Sequence, residues 1–311
     1  MTAVKVMGHT DSISTPLTNL GSKATKSGME QPPGTLRRYI DVAAFVVGWM
    51  ALGFYLHLGN VAYQAVGIAL TLLFQPLVAR RPFSQLWVRA STAFRVDRRT
   101  IALAILLAGT ADALMLLRAG SPPGTGQQGG MLLFLTAAAV PAAFALRQTA
   151  RAGLWRALPS VVAWKLTGWG WGLVVFGVGR LAGIAGSPGR HLSLQQWPCL
   201  GATFLFEFLA AFLIEEVVFR GALDTHVSTG ERTRWGEFRS AAFVSVLWAL
   251  YHVPIQGLQA TTPFQQLGVT LHFVGIAIGG IPLAYCWRRS GTLVLPAALH
   301  AFANAYVLNA A

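Results

Sequence analysis

The 311-residue sequence predicts an all-α fold, a polytopic transmembrane helical bundle of about nine spans, and three observations carry the prediction. Hydrophobic residues make up 54% of the chain and charged residues only 11%, with a mean hydropathy of +0.53; a soluble domain holds about 25% charged residues. Apolar runs long enough to cross roughly 30 Å of hydrocarbon recur along most of the length. The 24 basic residues, which set a formal net charge of +13, gather in short segments between those runs, as topology signals do. The basic balance therefore points to a lipid bilayer. No basic face interleaved with aromatics appears, so nucleic acid is excluded as a partner.

Residues 1–38 are rich in Thr, Ser, Gly and Lys, carry Pro32-Pro33, and lack the apolar core and cleavage site of a signal peptide, so they read as a disordered cytoplasmic tail. Residues 39–160 supply four accessory spans, at 39–59, 61–79, 101–117 and 131–146. The first pair meets at a short turn near Asn60. An arginine-rich loop with Arg80, Arg81, Arg89, Arg95, Arg98 and Arg99 follows the second, and a Gly- and Pro-rich loop from Gly120 to Gly130 separates the third from the fourth. Arg147, Arg151 and Arg156 lead to residues 161–311, the expected core. Its spans lie at 161–185, 197–219, 240–255, 264–287 and 292–308. The span at 161–185 is dense in Trp and in Gly, whose small size permits close helix approach.

Orientation follows from charge. With the N-terminus in the cytoplasm, the tail and the even-numbered connections hold all of the 24 basic residues except Arg118, Lys165, Arg180 and Arg190. So large an asymmetry predicts nine spans with the N-terminus in, as in a bacterial inner membrane. Cys199 and Cys286 then fall near opposite faces, too far apart for the Cα separation of about 4.4–6.8 Å that a disulfide needs. No internal repeat of the kind inverted-repeat transporters show is present.

Polar residues inside these runs are the informative ones, because an ionisable group in hydrocarbon costs several kcal/mol unless it is paired or faces a polar cavity. The sixth span ends in Glu215-Glu216-Val-Val-Phe-Arg220-Gly221, the seventh carries Trp248-Ala-Leu-Tyr-His252, and the ninth carries His300-Ala-Phe-Ala-Asn304. Glu216 and Arg220 are four apart and can form an ion pair; His300 and Asn304 are also four apart and share a helix face. Glu215, about 100° from its neighbour on an ideal helix, is left to point elsewhere. Counting 1.5 Å per residue from the cytoplasmic ends puts Glu215 roughly 6–8 Å deep, His300 about 12 Å and His252 about 18 Å, a band that small tilts bring level. A carboxylate, two imidazoles and an amide at one wet site are equipment for hydrolysis, with Glu as general base on a water, His sharing the proton, and His plus Asn donating to the developing oxyanion.

Those three segments, in that order on successive apolar runs, resemble the signatures of the CAAX prenyl protease and bacteriocin-processing intramembrane protease family. The likeness covers roughly residues 197–304. It implies a helical intramembrane endopeptidase in which Glu215 and His252 activate water and His300 and Asn304 stabilise the oxyanion. Glu216 and Arg220 are expected to play a supporting role. Family members were first described as metalloproteases, and a metal-free, glutamate-based mechanism is now favoured. The substrate it implies is a membrane-anchored or lipidated protein or peptide. One departure is visible: the second signature usually opens with Phe and here opens with Trp248, expected to alter packing more than chemistry. Zinc held by Glu215, His252 and His300 is the weaker alternative, since the two-His pattern at spacing four is missing; no cofactor is expected.

Two other classes share these features in part. A scaffold or immunity protein of the same fold would have no need of a complete hydrolytic set, and a proton-coupled transporter would use the buried acids as a relay. Blander readings apply elsewhere. His272 reads as a hydrogen-bonded core residue, and His57, His191 and His226 as solvated span-end or loop residues. Glu207 lies eight residues before Glu215 and reads as a separate hydrogen-bonded group that could line the same cavity. Asp112 is an intramembrane acid with no identifiable partner. Trp164, Trp169 and Trp171 read as interface and packing residues.

Overall fold

Long runs without backbone-breaking residues, and little water to satisfy peptide groups, leave the helix as the economical structure for this chain. The structure, a computed structural model, describes residues 35–91, 93–119, 126–152, 197–229, 231, 233–256 and 263–310. Eight long helices contain most of them: α1 Thr35–Tyr55, α2 Asn60–Phe74, α3 Arg98–Ala119, α4 Gly126–Ala152, α5 Trp197–Ala211, α6 Arg234–Tyr251, α7 Pro263–Ser290 and α8 Val294–Ala310. Among the described residues there is no strand, only an isolated bridge between Val88 and Thr292. Among the described residues three helical stretches, Asn60–Ala79, Leu132–Ala150 and Gln266–Ser290, are long and apolar enough to cross a membrane, and Val294–Ala305 is a shorter apolar helix. The expected span at 161–185, with its three tryptophans, lies outside the described residues, as do His191 and most of the expected tail.

The helix ends have local causes. α1 begins right after Pro32-Pro33-Gly34, four residues earlier than expected, and Arg38 is already buried within it. α2 continues into wide π turns at Gln75–Ala79, where Pro76 lacks the N–H that an α-helical bond would use. α5 continues into a longer π-helical stretch, Phe212–Asp224, and a last α turn at Thr225–Ser228. Thr233 caps α6, its side chain accepting from the Gly236 N–H at 3.0 Å. α6 closes at His252, Pro254 lacking the N–H that would continue its ladder, and a four-residue helical turn, Val253–Gln256, follows at once. Between α7 and α8 the chain turns at Gly291, whose φ of +70° suits a residue without Cβ.

The N-terminal helices share one core with the rest. Trp49 of α1, fully buried, stacks on Tyr63 of α2 at 5.1 Å and meets Tyr251 of α6 at 4.6 Å between ring centroids. Tyr63 Oη donates to the Tyr251 carbonyl at 3.2 Å, so α1 and α2 brace the end of α6 from which His252 projects. The loop after α2 is stitched down as well. Arg81 donates to Thr229 Oγ1 and to the Thr225 carbonyl, and Arg89 donates to the Arg288 carbonyl. Two of the six loop arginines thus serve the fold directly. Gly221 permits the closest approach: a Cβ there would collide with the Leu86 carbonyl oxygen.

Arg288, at the end of α7, gathers three helices. Its guanidinium donates twice to Asp224 on the α5 extension, at 2.9 and 2.5 Å, to the Glu237 carbonyl at 2.6 Å and to Ser240 Oγ at 2.9 Å, both on α6. Burial is nearly complete, with side-chain exposure of 6% for Arg288 and 0% for Asp224. Removing one partner of a buried, hydrogen-bonded pair strands the other charge. Arg288→Ala and Asp224→Ala are each expected to lower stability by about 3–5 kcal/mol, read from thermal unfolding in detergent. The Asp224→Leu, Arg288→Leu double variant should lose less than the sum of the two.

Candidate active site

The π-helical stretch of α5 carries both acids of the sequence signature. Its i→i+5 bonding widens each turn and changes the angle between successive side chains from the α-helical value. The result differs from the ideal-helix expectation that sends Glu215 and Glu216 apart: both reach the same imidazole, His300 on α8, from its two nitrogens. Glu216 Oε1 lies 2.9 Å from His300 Nδ1, and Glu215 Oε2 lies 3.8 Å from His300 Nε2. From the end of α6, His252 Nε2 also comes within 3.8 Å of Glu215 Oε2. One carboxylate oxygen is therefore equidistant from two imidazoles borne by different helices.

Proton positions follow from the partners. A backbone carbonyl can only accept, so His252 Nδ1, 2.8 Å from the Trp248 carbonyl oxygen, carries a proton and donates it. In the neutral ring Nε2 then offers a lone pair toward Glu215. An ionised Glu216 likewise only accepts, so His300 donates to it from Nδ1. Glu215 and His252 keep 17% and 13% side-chain exposure, which leaves them open to water, while Glu216 and Arg220 at 1% and 0% are sealed in.

Behind the acids stands Arg220, its Nε 3.6 Å from Glu216 Oε2 and its guanidinium carbon 4.9 Å from the centroid of the Trp248 ring. Its nitrogens make no hydrogen bond to the described residues, so charge and ring contact hold it. Trp248 does more than fill space: its indole N–H donates to Glu215 Oε2 at 2.6 Å, a bond no phenylalanine makes. The departure from Phe thus brings a hydrogen bond to Glu215 as well as a change of packing.

Asn304 stands one turn beyond His300 on α8, and its Nδ2–H donates to Glu207 Oε2 at 3.1 Å. Glu207, read from sequence as a separate group, is thus tied to a residue of the signature. The available signal was its spacing of eight from Glu215, two turns along the same helix. Other polar residues also depart from their sequence reading. His226 is buried rather than solvated and sits 3.2 Å from Asp41 of α1, because the α5 extension packs beneath that helix. His272 is exposed on α7 beside Phe273, not a core residue. Asp112 has a partner in the Thr136 hydroxyl of α4 at 3.5 Å. Cys199 and Cys286 are free thiols, and His57 is exposed.

Among the described residues, no three His, Cys, Asp or Glu side chains are arranged to hold a metal ion. Glu215 Oε2 stands 3.8 Å from each imidazole nitrogen, wider than the roughly 3.3 Å that tetrahedral bonds of about 2.0–2.1 Å impose between ligand atoms.

A family model covers the segment that carries these residues. Residues 196–306 match the family model described as type II CAAX prenyl endopeptidase Rce1-like. Over this segment the sequence is similar to that family. The Rce1-like segment runs from the start of α5 to within α8 and contains every residue of the three signatures. Together with the apolar helices it supports an integral membrane protein of the CAAX-protease type. No curated protein and no solved structure matches the chain.

Within the Rce1-like segment, Glu216 neutralises a fully buried cation and accepts from His300 at once. Glu216→Ala is expected to destabilise the protein by about 3–5 kcal/mol in thermal unfolding, because it leaves the Arg220 charge uncompensated. Glu216→Gln, which still offers His300 an acceptor, should lose less.

Proposed function

We propose that this protein is a glutamate-dependent intramembrane endopeptidase that hydrolyses a peptide bond of a membrane-anchored or lipidated polypeptide, with no metal or other cofactor. The observation that carries this reading is Glu215 Oε2 standing 3.8 Å from Nε2 of both His252 and His300. A water about 2.8 Å from Oε2 and from His252 Nε2 would make an angle of roughly 85° between them, a compressed but usable bridge. Glu215 takes its proton as the oxygen attacks the scissile carbonyl, and His252 accepts the water's other hydrogen bond. The oxyanion that forms is met by Nδ2–H of Asn304 and by Nε2–H of His300, which, with its Nδ1–H given to Glu216, acts as the doubly protonated imidazolium. Collapse breaks the C–N bond, and the proton held by Glu215 passes to the departing amine. One water is consumed, and a new carboxylic acid and a new amine result, the acid's proton passing on to leave carboxylate and ammonium.

The same reading extends to the whole chain. Residues 1–38 form a cytoplasmic tail, 39–160 accessory spans and 161–311 the protease core, nine spans in all with the N-terminus inside, in a bacterial inner membrane. The confinement of basic residues to alternate connections supports that topology. An extended substrate backbone is tolerated at such depth only inside protein or beside water, so it would enter between helices near α5, α6 and α8.

The test is cleavage of a quenched fluorogenic peptide, anchored by an isoprenyl or acyl chain, by the purified protein in liposomes. Glu215→Gln and His252→Ala are each expected to lower kcat by about 10²–10⁴-fold. Asn304→Ala should lower it by about 10²–10³-fold. Glu215→Gln, which keeps the shape of the side chain, should unfold close to the wild-type temperature. Wild-type protein inert against a broad set of anchored peptides, or full activity in Glu215→Gln, would end the protease reading.

A further inference from the structure

Trp248 touches Glu215, His252, His300 and Arg220. Its indole Nε1–H donates to Glu215 Oε2. Its ring meets His300 edge to face at 5.2 Å and His252 at 5.8 Å between centroids, and Arg220 lies over its face. Its carbonyl takes the His252 Nδ1 proton. The residue is 3% exposed, and α7 presses on it so closely that a Cβ on Gly280 would lie 2.9 Å from the ring. The ring therefore has little freedom to move.

This fixed donor matters because the terminal torsion of a glutamate is broad and roughly two-fold, so an untethered carboxylate samples many orientations. The oxygen that accepts from Trp248 is the very oxygen equidistant from the two imidazoles. We propose that Trp248 is a positioning residue that selects Oε2 as the reacting atom of Glu215 and holds it at the focus of His252 and His300. The proposal rests on the endopeptidase reading. A carboxylate oxygen has two lone pairs, so Oε2 can take the indole N–H and still receive the proton of the attacking water. The Arg220 charge over the ring face draws electron density from the indole and makes its N–H the stronger donor. Binding of substrate would not depend on the bond; only the attack step would.

The experiment compares kcat and KM for wild type, Trp248→Phe and a protein carrying β-(3-benzothienyl)alanine at position 248, which has the shape of indole and no N–H. Both substitutions are expected to lower kcat roughly ten- to a hundred-fold with KM unchanged. The tryptophan side-chain ¹⁵N–¹H signal that disappears in Trp248→Phe should shift in Glu215→Ala. If the benzothienyl protein keeps wild-type kcat, ring volume rather than the N–H matters and the proposal is overturned. It is overturned equally if the signal is unmoved in Glu215→Ala, or if KM carries the whole loss. Glu215→Gln distinguishes the two levels of failure: full activity there sinks the endopeptidase reading, whereas an inactive Glu215→Gln beside a fully active Trp248→Phe sinks only the positioning role.

Discussion

A carboxylate brought into an apolar helix bundle is the constraint on which this architecture depends. Left unpaired, such a group costs several kcal/mol, which is a large part of the net stability of any domain. Each charge along α5 is answered from another helix or from its own. Glu215 has the indole of Trp248 and two imidazoles, Glu216 has His300 and Arg220, and Asp224 has Arg288. Glu215 and Glu216 thus fasten α5 to α6 and α8, and Asp224 fastens it to α7.

A second layer holds that set in place. His252 sits where α6 ends, a position that would fray without support. The stacked rings of Trp49, Tyr63 and Tyr251, with the Tyr63 hydroxyl on the Tyr251 carbonyl, fix that end against α1 and α2. Helices outside the Rce1-like segment therefore contribute to the site by packing. The basic loop after α2 does the same from below, where Arg81 and Arg89 close on the ends of α5 and α7.

How much was legible from sequence differs by residue. Glu215, His252, His300 and Asn304 were readable because ionisable and amide groups are rare in apolar runs, so each one found there asks for a reason. The helices were readable for the same compositional cause. Burial was much harder to foresee. Nearly all side chains in these helices are apolar on every face, so periodicity does not separate a lipid-facing side from a packed one. His272 and His226 exchanged their expected environments on that account, and Glu207 found a partner 97 positions along the chain. The wide turns of α5 were invisible too, since i→i+5 bonding has no dependable residue signature.

Sequence by itself determined the helical class, the affinity for a bilayer and the chain order of the reactive groups, because composition and order are properties of the unfolded chain. Only the tertiary structure decided which oxygen of which acid faces both imidazoles, and that Trp248 holds it. A shift of one residue along an α-helix turns a side chain by about 100°, so the rotation of α5 against α6 and α8, set by packing and by the π turns, chooses the partners.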